Sequence, residues 1–129
     1  LDELTTTGHS RVWEVSRGAL TEHDIDPRDL GIQRASIQDL AGGTPDENAA
    51  IVRRVFSGES GPVRDIVLLN AAAGLVAFDL AHRPESVETP ILERLSAKLV
   101  TAAEAIDSGK AAAKLEGWVQ ATAAQGSGS

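Results

Sequence analysis

Apolar and polar residues alternate at strand spacing in the first part of the chain and recur at helical spacing afterwards. Arg11-Val12-Trp13-Glu14-Val15-Ser16 alternates so that Trp13 and Val15 share one face of a strand, and Thr5, Thr6 and Thr7 ahead of it are β-branched. Gly18 supplies a turn before Ala19-Leu20-Thr21-Glu22-His23, which predicts a β-hairpin. Asp26-Pro27-Arg28-Asp29-Leu30-Gly31 then breaks the extended run as a turn or a single helical turn.

From Thr44 onward the period becomes helical. Thr44 can cap, Pro45 suits the first helical position, and Glu47 stands where a capping box needs an acid. Val52 and Phe56, with Ile51 and Val55 beside them, form the apolar stripe of that helix, which Gly58 ends. Gly61-Pro62 opens a second helix that is almost continuously apolar from Val63 to Leu80, with Ala71, Ala72, Ala73 and Gly74 at its centre. Small residues there allow close approach of a neighbour, so this helix is expected to be the buried central one. Thr89-Pro90 repeats the cap-then-proline signal, and Leu92, Leu95, Leu99, Ala102 and Ile106 trace one face of a third helix that stops near Gly109. A short last helix carries Leu115, Trp118 and Val119, and Gln125-Gly126-Ser127-Gly128-Ser129 has the composition of a disordered tail. Residues 1–124 are thus expected to form one structured part, with 125–129 as the tail.

Composition narrows the partners. A chain of 129 residues can bury roughly two thirds of its unfolded surface. The net charge of -7 argues against nucleic acid and anionic membrane, because both need clustered Lys and Arg. With no cysteine there is neither a disulfide framework nor a thiolate metal site, and His9, His23 and His82 lie too far apart for a local metal motif. No apolar run approaches a membrane span, and Leu1-Asp2-Glu3-Leu4 lacks the features of a signal peptide, which predicts a cytoplasmic chain. The absence of an initiator Met suggests a piece of something longer.

Among candidates for chemistry, Asp2-Glu3 is the sharpest. Magnesium takes oxygen ligands, keeps much of its water, and is commonly held by one or two carboxylates plus substrate phosphates. Strand neighbours point to opposite faces, so both could reach one metal only from a loop at a strand end. On local grounds alone an Asp-Glu dipeptide reads as a solvated surface pair. Gly42-Gly43-Thr44 offers free N–H groups to an anion, but a capping box would already occupy them, and a structural turn is the expected reading. Ser108-Gly109-Lys110 lacks the remainder of a P-loop and reads as a helix stop. Asn70, inside the most apolar helix, must find partners and is expected to tie the helix to a loop. Trp13 and Trp118 are expected to be core or interface aromatics.

Leu1-Asp2-Glu3-Leu4-Thr5, then Gln38-Asp39-Leu40-Ala41-Gly42-Gly43-Thr44-Pro45-Asp46-Glu47-Asn48-Ala49, then Gly61-Pro62-Val63-Arg64-Asp65-Ile66-Val67-Leu68-Leu69-Asn70-Ala71-Ala72 resemble, in order and spacing, the anthranilate phosphoribosyltransferase family. Ala105-Ile106-Asp107-Ser108-Gly109-Lys110-Ala111 and Leu115 are similar to its last helices. The resemblance implies an α/β fold, with this chain as the C-terminal part of the larger domain: a hairpin or sheet strands followed by about four helices. It implies transfer of phosphoribosyl from phosphoribosyl pyrophosphate to the amino group of anthranilate, in tryptophan biosynthesis, with release of pyrophosphate. Asp2 and Glu3 stand at the family's magnesium-binding pair, so Mg2+ is the implied cofactor.

The family's glycine-rich pyrophosphate loop, its Lys-His-Gly segment and its anthranilate contacts have no counterpart in this sequence, nor does the glycine before the metal-binding run. The implied partners are therefore the N-terminal part of the same enzyme, the two substrates through the complete site, and a second copy in a homodimer. Alone, the chain is expected to be inactive, with no catalytic or substrate-binding residue of its own. The alternatives are a related nucleoside phosphorylase or phosphoribosyltransferase, and a non-catalytic interaction module derived from one.

Overall fold

The computed structural model describes residues 3–126; Asp2, like residues 127–129, lies outside them. The order is a hairpin followed by four α-helices, the α/β arrangement expected. Strands β1 (Ser10–Ser16) and β2 (Ala19–Ile25) pair antiparallel from Ser10 opposite Ile25 to Ser16 opposite Ala19. Arg17 and Gly18 form the two-residue turn, both with positive φ (50° and 77°), the geometry whose twist matches that of the strands.

By its internal packing the chain divides into two units. The first takes the residues up to Ala41 together with Ser60–Ala102. Here a 3₁₀ turn, Pro27–Leu30, follows the hairpin: Asp26 caps it by accepting from the Arg28 N–H, and Gly31 closes it at φ 74°. Helix α2 (Pro62–His82) lays Leu69, Ala72 and Val76 against the core, and the first part of α3 (Ile91–Asp107) adds Leu95. Ile25, Ala72, Val76 and Leu95 form the centre of this core, with Val12, Leu30 and Ile91 packed around it. Helix α3 opens one residue after the sequence signal, with the Arg94 N–H donating to the Pro90 carbonyl.

Two expectations change in this unit. Helix α2 is buried along one side only: Val67, Ala71, Gly74 and Phe78, at i, i+4, i+7 and i+11, are exposed. Trp13 and Val15 do share a face of β1, but it is the outer one, at 58 % and 67 % exposure. Glu14, between them, points inward at 7 %. A carboxylate can occupy that position because an Arg and a His meet it there.

The second unit takes Gly42–Glu59 and the residues from Ala103 on. Helix α1 (Pro45–Phe56) begins with the predicted box and buries Val55, whereas Val52 is exposed, so the stripe runs through Ile51 and Val55. Gly109, at φ 77°, stops α3. Helix α4 (Lys110–Gly126) is 17 residues long rather than short and continues through Gln125 and Gly126. Trp118 on it is 67 % exposed, so neither tryptophan is a core residue of this chain. Arg53 on α1 pairs with Glu116 on α4 at 2.7 Å.

Candidate functional site

Glu3 is exposed in an irregular segment ahead of β1. That segment is irregular without being loose. The Asn70 side chain treats Leu4 as a strand would: its Oδ1 accepts from the Leu4 N–H at 3.0 Å, and its Nδ2 donates to the Leu4 carbonyl at 2.8 Å. The same Nδ2 donates to the Ile66 carbonyl, one turn back on α2, at 3.0 Å. Asn70 therefore ties helix to loop as expected, across 66 residues of sequence.

Hydroxyl groups hold the next residues. The Thr5 N–H donates to Ser10 Oγ at 2.9 Å, and the Thr7 N–H to Thr5 Oγ1 at 3.0 Å. The Thr6 carbonyl accepts from the Ala35 N–H, and Thr6 itself is fully buried. A cleft of about 690 Å³ opens beside this segment, with Glu3, Thr5, Thr7, His9, Ser10 and Asn70 on its walls. Its walls carry carboxylate and hydroxyl oxygens, the donor types a hard cation takes.

Among the described residues no group of three or more His, Cys, Asp or Glu could hold a metal by itself. Magnesium does not require one, since one or two carboxylates, water and substrate phosphate complete its shell. The donor set present, Glu3 with hydroxyls nearby, fits that demand. Asp2 lies outside the described residues.

At the glycine pair before α1, the N–H groups of Gly43, Thr44 and Glu47 are taken up locally. Thr44 Oγ1 accepts from the Glu47 N–H, Glu47 Oε2 accepts from the Thr44 N–H at 2.7 Å, and Asn48 Oδ1 accepts from the Gly43 N–H at 2.8 Å. The Thr44 N–H bond, joined by the Thr44 hydroxyl donating to the same oxygen at 2.8 Å, holds the Glu47 carboxyl below its usual range. Asn48 also donates to the Gly43 carbonyl at 3.0 Å, so its role is local capping. Ser108-Gly109-Lys110 is likewise the α3–α4 junction, with Gly109 donating to the Ile106 carbonyl.

Two charge clusters escaped the sequence reading. Glu14 receives both amines of Arg94, at 2.6 and 3.0 Å, and His23 Nε2 lies 3.1 Å away. The Arg94 bond is the main reason its carboxyl stays below the ordinary value. Asp26 is met by Arg28 at 2.6 Å and Arg34 at 2.8 Å, with His9 Nε2 at 3.4 Å. Arg28 above all holds that carboxyl well below the usual carboxylate range. Alternation along β1 is the signal that could have exposed Glu14: once Trp13 and Val15 face outward, Glu14 must face in. No spacing rule points to Arg94, 80 residues on. A second cleft, about 520 Å³, lies between the hairpin, α2 and α3, but it is apolar and its one carboxylate, Glu14, is already engaged.

The glycosyl transferase family, a/b domain, matches residues 1–112. An anthranilate phosphoribosyltransferase of Leifsonia xyli is 64 % identical over 122 residues, 95 % of this chain and 35 % of the relative. The crystal structure of anthranilate phosphoribosyltransferase from Thermus thermophilus is 37 % identical with a TM-score of 0.72, covering 93 % of this chain and 32 % of that one. The Saccharomyces cerevisiae enzyme in complex with PRPP and Mg superposes with a TM-score of 0.76 at 25 % identity, over 96 % of this chain and 33 % of that one. The chain thus spans about a third of the length of the relatives it matches. With the family matched over 112 residues of this hairpin-and-helix arrangement, the chain belongs to the glycosyl transferase family, a/b domain.

Proposed function

We propose that the chain is the C-terminal part of the α/β domain of an anthranilate phosphoribosyltransferase, and that Asp2 and Glu3 bind the magnesium that accompanies the pyrophosphate. The observation that carries this reading is the 64 % identity to the Leifsonia xyli enzyme across 95 % of the chain. The bound ion would neutralise charge growing on the pyrophosphate as the glycosidic bond breaks. The chain's own contribution is to present the two acids from a segment fixed at Leu4, Thr5, Thr6 and Thr7. Acceptor binding and the attack of the amine fall to residues that this chain does not carry.

The N-terminal part of the enzyme is the principal partner. Supporting this are two unpartnered apolar surfaces of the first unit. One is the outer hairpin face of Trp13, Val15 and Leu20; the other is the stripe of Val67, Ala71, Gly74 and Phe78 on α2. The complete enzyme is read as a cytoplasmic homodimer; among the described residues no helix is long and apolar enough to cross a membrane.

Two measurements test the reading. In the complete enzyme, Asp2→Ala with Glu3→Ala should lower turnover on phosphoribosyl pyrophosphate and anthranilate by at least about 100-fold, on the scale of lost charge stabilisation. An unchanged rate sinks the metal assignment. The chain alone, with both substrates and magnesium, should show none; turnover above background refutes its incompleteness.

A further inference from the structure

We propose that Asn70 is a positioning residue for the metal-binding pair of Asp2 and Glu3: by holding both backbone polar groups of Leu4 it sets where Glu3 carries its carboxylate. The inference rests on the reading of those two residues as magnesium ligands.

Geometry singles Asn70 out. Within residues 66–78 of α2, apolar but for this residue, a side-chain amide has no packing advantage over Leu or Ala, and its desolvation must be offset by bonds. It makes three, and two of them go to the same residue of a distant segment. Only one orientation of the amide works. Reversed, it would set NH2 against the Leu4 N–H and oxygen against the carbonyls of Leu4 and Ile66. The bond to Ile66 anchors the amide to the helix, so the helix backbone in turn fixes the Leu4 peptide.

Among the described residues, further bonds to this segment fall at Thr5, Thr6 and Thr7, each farther from Glu3 than Leu4 is. Leu4 is bonded to Glu3 through the peptide whose N–H Asn70 holds. Magnesium demands near-octahedral geometry, and a site must hold its ligands within about 0.5 Å to meet it. A backbone clamp one residue away from a ligand acts on that tolerance directly. Groups that orient metal ligands typically change metal affinity by about 10- to 100-fold when removed.

The test uses the complete enzyme with Asn70→Leu and Asn70→Asp. Val76→Ala, in the core on the same helix, serves as a control for general destabilisation. Magnesium binding is titrated calorimetrically in the presence of inorganic pyrophosphate, the magnesium requirement of turnover is measured separately, and hydrogen exchange is followed at the Leu4 amide. The expected result is faster exchange at Leu4 in Asn70→Leu, which removes the acceptor, and in both variants a magnesium constant raised about 10-fold or more in both titrations, because neither can donate to the Leu4 and Ile66 carbonyls. Val76→Ala should lower the melting temperature and leave the magnesium constants in place. Should Asn70→Leu fail to fold, Asn70→Asp, nearly equal in shape and without the donor for the Leu4 and Ile66 carbonyls, carries the magnesium measurements.

Release of the Leu4 amide without a change in magnesium binding overturns the proposal, as does an equal change in Val76→Ala. Glu3→Gln separates this failure from failure of the ligand reading. If Glu3→Gln weakens magnesium while the Asn70 variants do not, only the positioning role falls. If Glu3→Gln leaves magnesium binding intact, the ligand assignment falls and the positioning role with it.

Discussion

Arg94, at the start of α3, grips Glu14, in the middle of β1, through two N–H···O bonds of 2.6 and 3.0 Å, and both side chains are under 10 % exposed, at 9 % and 6 %. Arg94 Nε also donates to the Thr89 carbonyl at 2.8 Å, so one guanidinium joins the hairpin to the loop that starts the helix. Removing one partner of such a pair leaves a buried charge unpaired, which costs about 3–5 kcal/mol, whereas an apolar pair of similar volume is often neutral or better. Glu14→Ala is therefore expected to destabilise the complete enzyme by about 3 kcal/mol. Glu14→Leu combined with Arg94→Met should recover most of that loss. Urea unfolding of Glu14→Leu, Arg94→Met and the double variant checks this; additive losses would mean the pair is not coupled.

Acid should weaken the first unit through the same carboxylates. Asp26 and Glu14 have folded pKa values below their unfolded ones, each chiefly because of an arginine hydrogen bond. A group of this kind contributes stability that is fully present above the unfolded value, near 4, and is lost as pH falls through the folded value. The melting temperature is thus expected to be level above about pH 5 and to fall below it. Asp26→Asn should start lower at pH 7 and lose less on acidification. A variant whose acid decline matches that of the parent would show that Asp26 is not among the groups responsible.

At the head of α1 the glycine at position 43 is required by a neighbour. A Cβ there would collide with the Glu47 carboxylate, and one at Gly42 would stand 2.7 Å from Asn48 Oδ1. Gly43→Ala should push Glu47 off the Thr44 N–H and cost about 1 kcal/mol, close to the loss from Thr44→Ala, since each breaks one half of the box. Combined with Glu47→Ala, Gly43→Ala should cost little more than Glu47→Ala alone. Full additivity in thermal unfolding would show that the glycine acts by some other route.

The parts legible in the sequence are those where cause and effect lie within one turn of chain. Thr44, Pro45 and Glu47 announce their box, Gly18 its hairpin turn, and Gly109 its helix stop. Asn70 was legible in kind, because a buried amide needs partners, but nothing local says that the partner is Leu4. The inward face of β1 was not legible. Trp13 and Val15 are the apolar residues of that strand, and their exposure makes sense only when Arg94 supplies a counter-charge for Glu14. Helix α2 misleads in the same way, since its apolar composition describes both of its sides while this chain covers one. Asp2 and Glu3 are the extreme case: locally a surface pair, they become candidate ligands only through the motifs that follow them.

Produced without the rest of the enzyme, the chain should self-associate through the outer face of its hairpin. Val15 and Leu20 stand directly opposite each other in the register, at 67 % and 66 % exposure, and Trp13 lies on the same face at 58 %. An exposed apolar patch on a two-stranded sheet, bordered by Arg11 and Glu22, is a template for another copy. Val15→Lys with Leu20→Glu replaces the apolar pair by opposite charges, which pair well across strands. Sedimentation velocity should then show a shift from oligomer toward monomer. In the complete enzyme proposed above, where the N-terminal part would cover this face, the same double substitution should instead destabilise. A wild-type chain that is already monomeric alone, together with a complete enzyme indifferent to the substitutions, would mean that the face is simply solvated.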